Sequence, residues 1–79
     1  MEYYEEALTI AREIGDRRGE GADLSSLGIR YATLGETERA IEYYEQALAI
    51  AREIGDKRME ELWLRNLEIL IQRSDKPGQ

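Results

Sequence analysis

The chain has 79 residues, of which 42% are hydrophobic, and a formal net charge of -6. A chain of this length forms one small domain with a limited core. It contains neither Cys nor His, which excludes disulfides, thiolate chemistry and catalytic triads, and removes the commonest metal ligand. We therefore expect neither a cofactor nor a metal site.

Acidic and basic residues are interleaved along the chain. Nucleic acids and anionic membranes are bound by clusters of Lys and Arg, so neither is an expected partner. The first residues, MEYYEE, are acidic where a signal peptide is basic, and the apolar runs are too short to span a membrane. A cytoplasmic location is the resulting expectation.

The first predicted helix covers residues 2–14. Its apolar residues recur at spacings of three and four, the pattern of an amphipathic helix. They are Tyr4, Ala7, Leu8, Ala11 and Ile14. Gly15 ends this helix because glycine accepts the left-handed conformation, and Asp16 can cap the next one.

A second helix is predicted over residues 18–34, although three glycines lower its propensity. Its apolar residues are Leu24, Leu27, Ile29, Tyr31 and Leu34. The third predicted helix follows Gly35 and is the best specified, because its apolar stripe continues along its whole length. The stripe comprises Ala40, Ile41, Tyr44, Ala47, Leu48, Ala51 and Ile54.

A fourth helix is predicted over residues 57–73. The only Pro lies in the polar tail, residues 75–79, which we expect to be flexible. No proline therefore interrupts the helical segments. The pattern predicts an all-α fold.

Two segments of the chain are nearly identical: residues 2–16 read EYYEEALTIAREIGD and residues 42–56 read EYYEQALAIAREIGD. The offset from 2 to 42 is a period of 40 residues. Helical units repeated at such a period stack so that each buries its apolar face on its neighbour. The sequence therefore predicts antiparallel helix-turn-helix repeats in an α-solenoid fragment of about four helices.

One period carries a motif of small and aromatic residues. It reads Leu24-x2-Leu27-Gly28-x2-Tyr31, then Ala40-x3-Tyr44 and Ala47. This motif resembles the signature of the tetratricopeptide repeat family. Leu24 stands where the family usually has Trp, and Arg52 where its 34-residue form has Pro. The longer period is similar to that of the Leu-Gly-Asn repeat adaptors, kinesin light chains and many bacterial regulators.

The resemblance implies that residues 1–74 are a fragment of a repeat array with three parts. They are residues 2–16, the second helix of a truncated repeat; residues 17–55, one full repeat; and residues 56–74, a terminal helix that resembles a cap. The small residues Gly28 and Ala40 let the two helices of the full repeat approach closely. Glu68 stands one period after Gly28, where its charge should resist packing of a following helix.

The resemblance also implies a non-catalytic protein–protein interaction module that binds proteins or peptides. Its binding face would be concave and formed by the first helix of each repeat. The candidates are Ser25, Ile29, Thr33, Arg65, Ile69 and Gln72, with Arg73 beside them. The alternative is that Ile29 and Ile69 belong to the core and that Arg65 and Arg73 only face solvent. The family's carboxylate clamp is not assembled, since its Lys and Asn are absent from this face.

A second interpretation is a self-associating structural repeat unit, excised or engineered, with no ligand of its own. The terminal helices each lack a neighbour, so head-to-tail or symmetric pairing of copies is a hypothesis. The candidate residues are Tyr4, Leu8, Ala11, Trp63 and Glu68. Trp63 is either buried against the third helix or exposed as an interface anchor. Glu68 is the objection to head-to-tail stacking.

Two further patterns do not indicate chemistry. Gly19-x-Gly21 follows no strand and lacks the Lys of a phosphate-binding loop, so it predicts a loose helix start. The adjacent carboxylates Glu5 and Glu6 point about 100° apart on a helix and do not form an acid–base pair. We expect no enzymatic activity.

Overall fold

The computed structural model describes residues 2–74, which form four α-helices. They are α1 (Glu2–Ile14), α2 (Arg17–Thr33), α3 (Thr37–Ile54) and α4 (Lys57–Ser74). The described part of the chain contains no strand, and the predicted all-α repeat fold is confirmed. The predicted flexible tail, residues 75–79, lies outside the described residues.

Each helix packs against the next one along the chain, with α3 held between α2 and α4, and α2 held between α1 and α3. The core runs through all four helices. Its most deeply buried members are Leu24, Leu27, Ala40, Ala47 and Ala51. Leu24 and Leu27 are the large side chains among them, so α2 supplies the centre of the core.

The three turns between helices all contain a glycine in the left-handed conformation: Gly15, Gly35 and Gly55, with φ of 74°, 83° and 73°. A residue with a Cβ rarely adopts this conformation. Asp16 accepts a hydrogen bond from the N–H of Gly19 at 2.9 Å, and Asp56 accepts one from the N–H of Met59 at 3.1 Å. The predicted cap at Asp16 is confirmed, and Asp56 repeats it one period later.

Gly28 is a point of close approach between α2 and α3. A Cβ atom there would lie 2.8 Å from Cδ2 of Tyr44 and 3.4 Å from the carbonyl oxygen of Ala40. Such a short distance to an aromatic ring cannot be accommodated without a shift. Beside this contact, the rings of Tyr31 and Tyr43 stack with centroids 5.4 Å apart. The predicted role of Gly28 and Ala40 in helix packing is thus confirmed.

Gly21 makes a second close contact that the sequence did not indicate. A Cβ atom at Gly21 would lie 3.1 Å from Cη2 of Trp63 and 3.3 Å from Cγ2 of Ile50. Trp63 is only 7% exposed, which decides between the two predicted environments of its side chain. It is buried, and it packs across α3 to reach α2.

The apolar residues that end the first two predicted helices are exposed. Ile14 is 71% exposed and Leu34 is 61% exposed. Both lie at the end of a helix, where the chain turns away from the packed faces. Helical periodicity alone does not indicate where a neighbouring helix stops.

Ion pairs follow the same period as the turns. Arg12 donates a hydrogen bond to Glu20 at 3.1 Å. Arg52 and Glu60, each 40 residues later, form the equivalent pair at 3.0 Å. These pairs join the end of one helix to the start of the next. They are partly exposed and therefore contribute little to stability individually.

A second set of ion pairs joins the start of α2 to the end of α3. The guanidinium of Arg17 donates to both carboxylate oxygens of Glu53, at 2.8 and 2.6 Å, and Arg18 pairs with Asp56. Hydrogen bonds from Arg17 lower the pKa of Glu53. The N–H of Met59 and then the guanidinium of Arg18 lower the pKa of Asp56.

We predict that Gly28→Leu lowers the free energy of unfolding by about 2 kcal/mol or more, because the side chain must displace Tyr44 or separate α2 from α3. Urea unfolding followed by circular dichroism measures the change. Ala49→Leu introduces the same side chain at an exposed site of α3 and should change stability by less than about 0.5 kcal/mol. Equal effects of the two substitutions would contradict the packing argument.

The lowered pKa of Asp56 predicts a pH dependence of stability. A carboxyl group whose pKa is lower in the folded state stabilises the fold above its unfolded pKa, and this contribution is lost as the pH falls through the folded value. Asp56→Asn keeps a side chain that can cap α4 but removes the charge. The melting temperature of the variant should therefore lie below that of the unmodified chain at pH 7 and approach it below the ordinary value of 3.8.

The control for this experiment is Gln46→Ala, which changes an exposed side chain of α3 that does not titrate. Its difference from the unmodified chain should stay nearly constant over the same pH range. A constant difference for Asp56→Asn as well would contradict the assignment.

Candidate functional site

An open cleft of about 300 Å³ lies between α2 and α4, with α3 at its base. Its lining residues come from three helices: Ile29, Ala32, Thr33, Tyr44, Asn66, Ile69, Leu70 and Arg73. Tyr44 is 3% exposed and lies deepest among them. The cleft is thus a groove between α2 and α4, which are equivalent helices of consecutive repeats. Its base is α3, the helix that separates them.

The repeat explains why two isoleucines face this groove. Ile29 and Ile69 are one period apart, so they occupy the same position on α2 and α4. Equivalent residues of stacked repeats lie in rows on one face of the array. Ile29 is 53% exposed and Ile69 is 46% exposed, so neither is a core residue, and the alternative that placed them in the core was wrong.

The structure brings together half of the predicted binding face. Ile29, Thr33 and Ile69 line the cleft, and so does Arg73. Ser25 is 8% exposed, and its hydroxyl donates a hydrogen bond to the carbonyl oxygen of Ala22 at 2.8 Å. It is therefore buried and hydrogen-bonded within α2, and it does not line the cleft.

The other two predicted residues, Arg65 and Gln72, do not line the cleft. Arg65 lines a separate surface pocket with Arg58 and Leu62. Gln72 is exposed on α4. Arg65 is next to Asn66 in the sequence, and Gln72 is next to Arg73, and both of those neighbours line the cleft. Helical spacing alone does not show which side of α4 faces the cleft.

Sequence reasoning missed two polar groups of the cleft, Tyr44 and Asn66. Tyr44 was assigned to the core, and it is, but its ring edge also forms the base of the cleft. Asn66 could have been found, because it lies three residues before Ile69 and therefore on the same face of α4. The remaining lining residues that we did not name, Ala32 and Leu70, add apolar surface.

The electrostatics of the cleft are simple. Burial raises the pKa of the Tyr44 hydroxyl, and a hydrogen bond with Asn66 acts in the opposite direction. The hydroxyl is therefore protonated at neutral pH. Arg73 adds a permanent positive charge to the lining. The cleft can accept an apolar side chain while offering an amide, a phenol and a guanidinium to polar atoms of a ligand.

The residues predicted for self-association lie in two environments. Leu8, Ala11 and Trp63 are buried within the chain, at 7%, 5% and 7% exposure. Tyr4 is half-buried and Glu68 is exposed. Leu8 and Ala11 are the buried residues of α1, which packs against α2, so a second molecule cannot contact them without displacing that helix.

Residues 2–74 contain no cluster of Asp and Glu side chains that could hold a metal ion. Over the same residues, no helix is both long enough and apolar enough to cross a membrane.

The stacked pairs of antiparallel helices and the small-residue contact at Gly28 define the chain as an α-helical repeat protein. Comparison with protein families matches residues 2–53, more than half of the chain, to the family described as Tetratricopeptide repeat. The chain therefore belongs to the tetratricopeptide repeat family. Searches among curated proteins and among solved structures found no match. Repeats of this family are generally non-catalytic and mediate protein–protein interactions.

Proposed function

We propose that this chain is a protein-interaction module that binds a peptide segment of a partner protein in the α2–α4 cleft. The observation that carries the proposal is the pair of exposed isoleucines, Ile29 and Ile69, which both line an open groove. Exposed apolar side chains that line a concavity are typical of binding surfaces.

The size and lining of the cleft favour a peptide over a small cofactor. About 300 Å³ is at the lower end of ligand pockets and accommodates one apolar side chain. The groove is open along its length, so the flanking backbone of an extended peptide can continue past it. Asn66 can bond to that backbone, since a side-chain amide both donates and accepts.

The charge of Arg73 favours an acidic group on the partner. A guanidinium binds carboxylates through paired hydrogen bonds. We infer a peptide with an aliphatic or aromatic residue that enters the cleft and a carboxylate near it. Nucleic acids and membranes are not expected partners, because the chain carries a net charge of -6.

We further propose a scaffold role, because the 40-residue period supports a relation to the Leu-Gly-Asn adaptors, kinesin light chains and bacterial regulators. Ile29 stands where the Leu-Gly-Asn adaptors have Asn, so their ligand is not carried over. We also propose that the chain comprises a truncated repeat, one full repeat and a capping helix, and that it acts in the cytoplasm.

A peptide library displayed on phage tests the proposed site. We expect Ile69→Asp to weaken the selected peptides by at least about tenfold, because it places a carboxylate in the apolar part of the cleft. Leu62→Asp is the matched control, since Leu62 also lies on α4 and is also 46% exposed, but outside the cleft. Isothermal titration calorimetry measures both variants.

Chemical-shift mapping locates the bound peptide independently. Perturbations should centre on Ile29, Asn66 and Ile69. Selected peptides that perturb another surface, or that lose the same affinity with Leu62→Asp as with Ile69→Asp, would show that the cleft is not the binding site. Circular dichroism establishes that both variants remain helical.

A further inference from the structure

A second pocket lies between α2 and α4, nearer than the cleft to the start of both helices. Its volume is about 230 Å³. We call it the Trp63 pocket, and its lining residues are Arg18, Ala22, Ile50, Ile54, Asp56, Met59 and Trp63. The two charged residues, Arg18 and Asp56, form an ion pair with each other. The rest of the lining is apolar, so the pocket is suited to an apolar group.

Helical spacing places the Trp63 pocket and the cleft on the same side of the molecule. Residues at intervals of three, four and seven lie on one face of a helix. On α2, lining residues of the two pockets follow at intervals of four and seven: Arg18, Ala22, Ile29 and Thr33. On α4 they follow at intervals of three and four: Met59, Trp63, Asn66, Leu70 and Arg73. The two pockets are therefore consecutive parts of one groove, with α3 as its base.

Helix α3 sets the separation of the two pockets. Tyr44 belongs to the cleft, and Ile50 and Ile54 belong to the Trp63 pocket. At the helical rise per residue, Ile50 lies about 9 Å and Ile54 about 15 Å further along α3 than Tyr44. The centres of the pockets are therefore about 12 Å apart along the groove.

An extended peptide matches this separation. Its side chains point to one side at every second residue, so those at positions i and i+4 are about 13 Å apart, and those at i and i+2 only about 7 Å. A helical peptide would need about eight residues to cover the same distance. One turn of a helix about 10 Å across also occupies on the order of 400 Å³, which is more than either pocket holds.

The charges of the groove favour an acidic peptide. The chain has a net charge of -6, yet Arg18 and Arg73 line the two pockets against Asp56 alone. The groove is therefore positive relative to the rest of the chain, and carboxylates of a peptide are attracted to it. This complementarity extends along both pockets, as expected for one ligand that spans them.

The Trp63 pocket favours an aromatic side chain. A ring packs well against the edge or face of another ring, against a thioether and under a guanidinium group. Trp63, Met59 and Arg18 offer these three groups in one pocket. Gly21 lets the Trp63 ring pack closely on α2, since a Cβ atom there would lie 3.1 Å from Cη2 of Trp63. The pocket wall formed by Trp63 is thus held in place before a ligand binds.

We propose that the Trp63 pocket is a second subsite of the peptide-binding groove. It takes an aromatic side chain four residues away from the apolar residue that enters the cleft, and the acidic peptide is extended between the two. This inference rests on the proposed function, because the same peptide must occupy the cleft.

A series of synthetic acidic peptides tests the spacing. Each peptide contains one Leu with an Asp beside it and one Phe, placed from two to eight residues before or after the Leu. The peptide with a spacing of four should bind at least about tenfold more tightly than the same peptide with Ala in place of Phe. At other spacings, Phe should add less than about threefold, because it cannot reach the pocket while Leu occupies the cleft. Isothermal titration calorimetry measures the affinities.

The fluorescence of Trp63 reports occupancy of the pocket directly, because the chain contains one Trp. The peptides contain neither Trp nor Tyr. Titration with the Phe peptide of spacing four should change the emission of Trp63, whereas saturation with the matched Ala peptide should leave it nearly unchanged.

Ala22→Leu fills the Trp63 pocket from an exposed position on α2. In this variant, exchange of Phe for Ala in the peptide should cost less than about twofold in affinity, against at least about tenfold in the unmodified chain. Ala49→Leu is the matched control, since it makes the same substitution at an exposed site outside both pockets. It should keep the full tenfold difference. Urea unfolding followed by circular dichroism establishes that both variants are folded.

Three outcomes would overturn the second subsite: tightest binding at a spacing other than four, unchanged Trp63 emission, or the same gain from Phe in Ala22→Leu as in Ala49→Leu. Tightest binding at seven or eight would indicate a helical ligand. Ile69→Asp separates this inference from the proposed function. Binding that Ile69→Asp weakens but Phe does not strengthen would retain the cleft and reject the Trp63 pocket. Binding that Ile69→Asp leaves unchanged would reject the cleft, and with it the two-pocket ligand.

Discussion

Helices α2 and α3 lie so close together that no side chain fits between them at Gly28. The ring of Tyr44 occupies the space that a Cβ atom would need, and the backbone of Ala40 lies just beyond it. This contact sets the distance between the two helices of the repeat. The stacked rings of Tyr31 and Tyr43, the burial of Leu24 and the Arg17–Glu53 ion pair all depend on that distance, because each spans the same pair of helices.

The 40-residue period carries this geometry to the rest of the molecule. A left-handed glycine, an aspartate cap and an arginine–glutamate pair recur 40 residues apart, so the α3–α4 turn repeats the α1–α2 turn. The repetition is broken on α4, where Glu61 and Glu68 stand in place of the two close-contact glycines. One surface of α4 therefore packs in the core. The surface that carries Glu61 and Glu68 cannot approach another helix as closely as α2 approaches α3. A fold of this kind builds new surfaces by changing single residues within a fixed frame.

The cleft between α2 and α4 follows directly from this frame. It exists because α2 and α4 are equivalent helices held apart by α3, which places Ile29 and Ile69 in one row above Tyr44.

The sequence by itself determined the four helices, their turns and the tight contact at Gly28, because helical periodicity, glycine and small-residue spacing are local properties of the chain. It also placed Ile29, Thr33 and Ile69 on one face of the array, where they line the cleft. Only the tertiary structure decided that Trp63 is buried against Gly21, that Arg65 and Gln72 lie outside the cleft, and that Tyr44 lines it. Those outcomes depend on where one helix crosses another, which no single helix encodes.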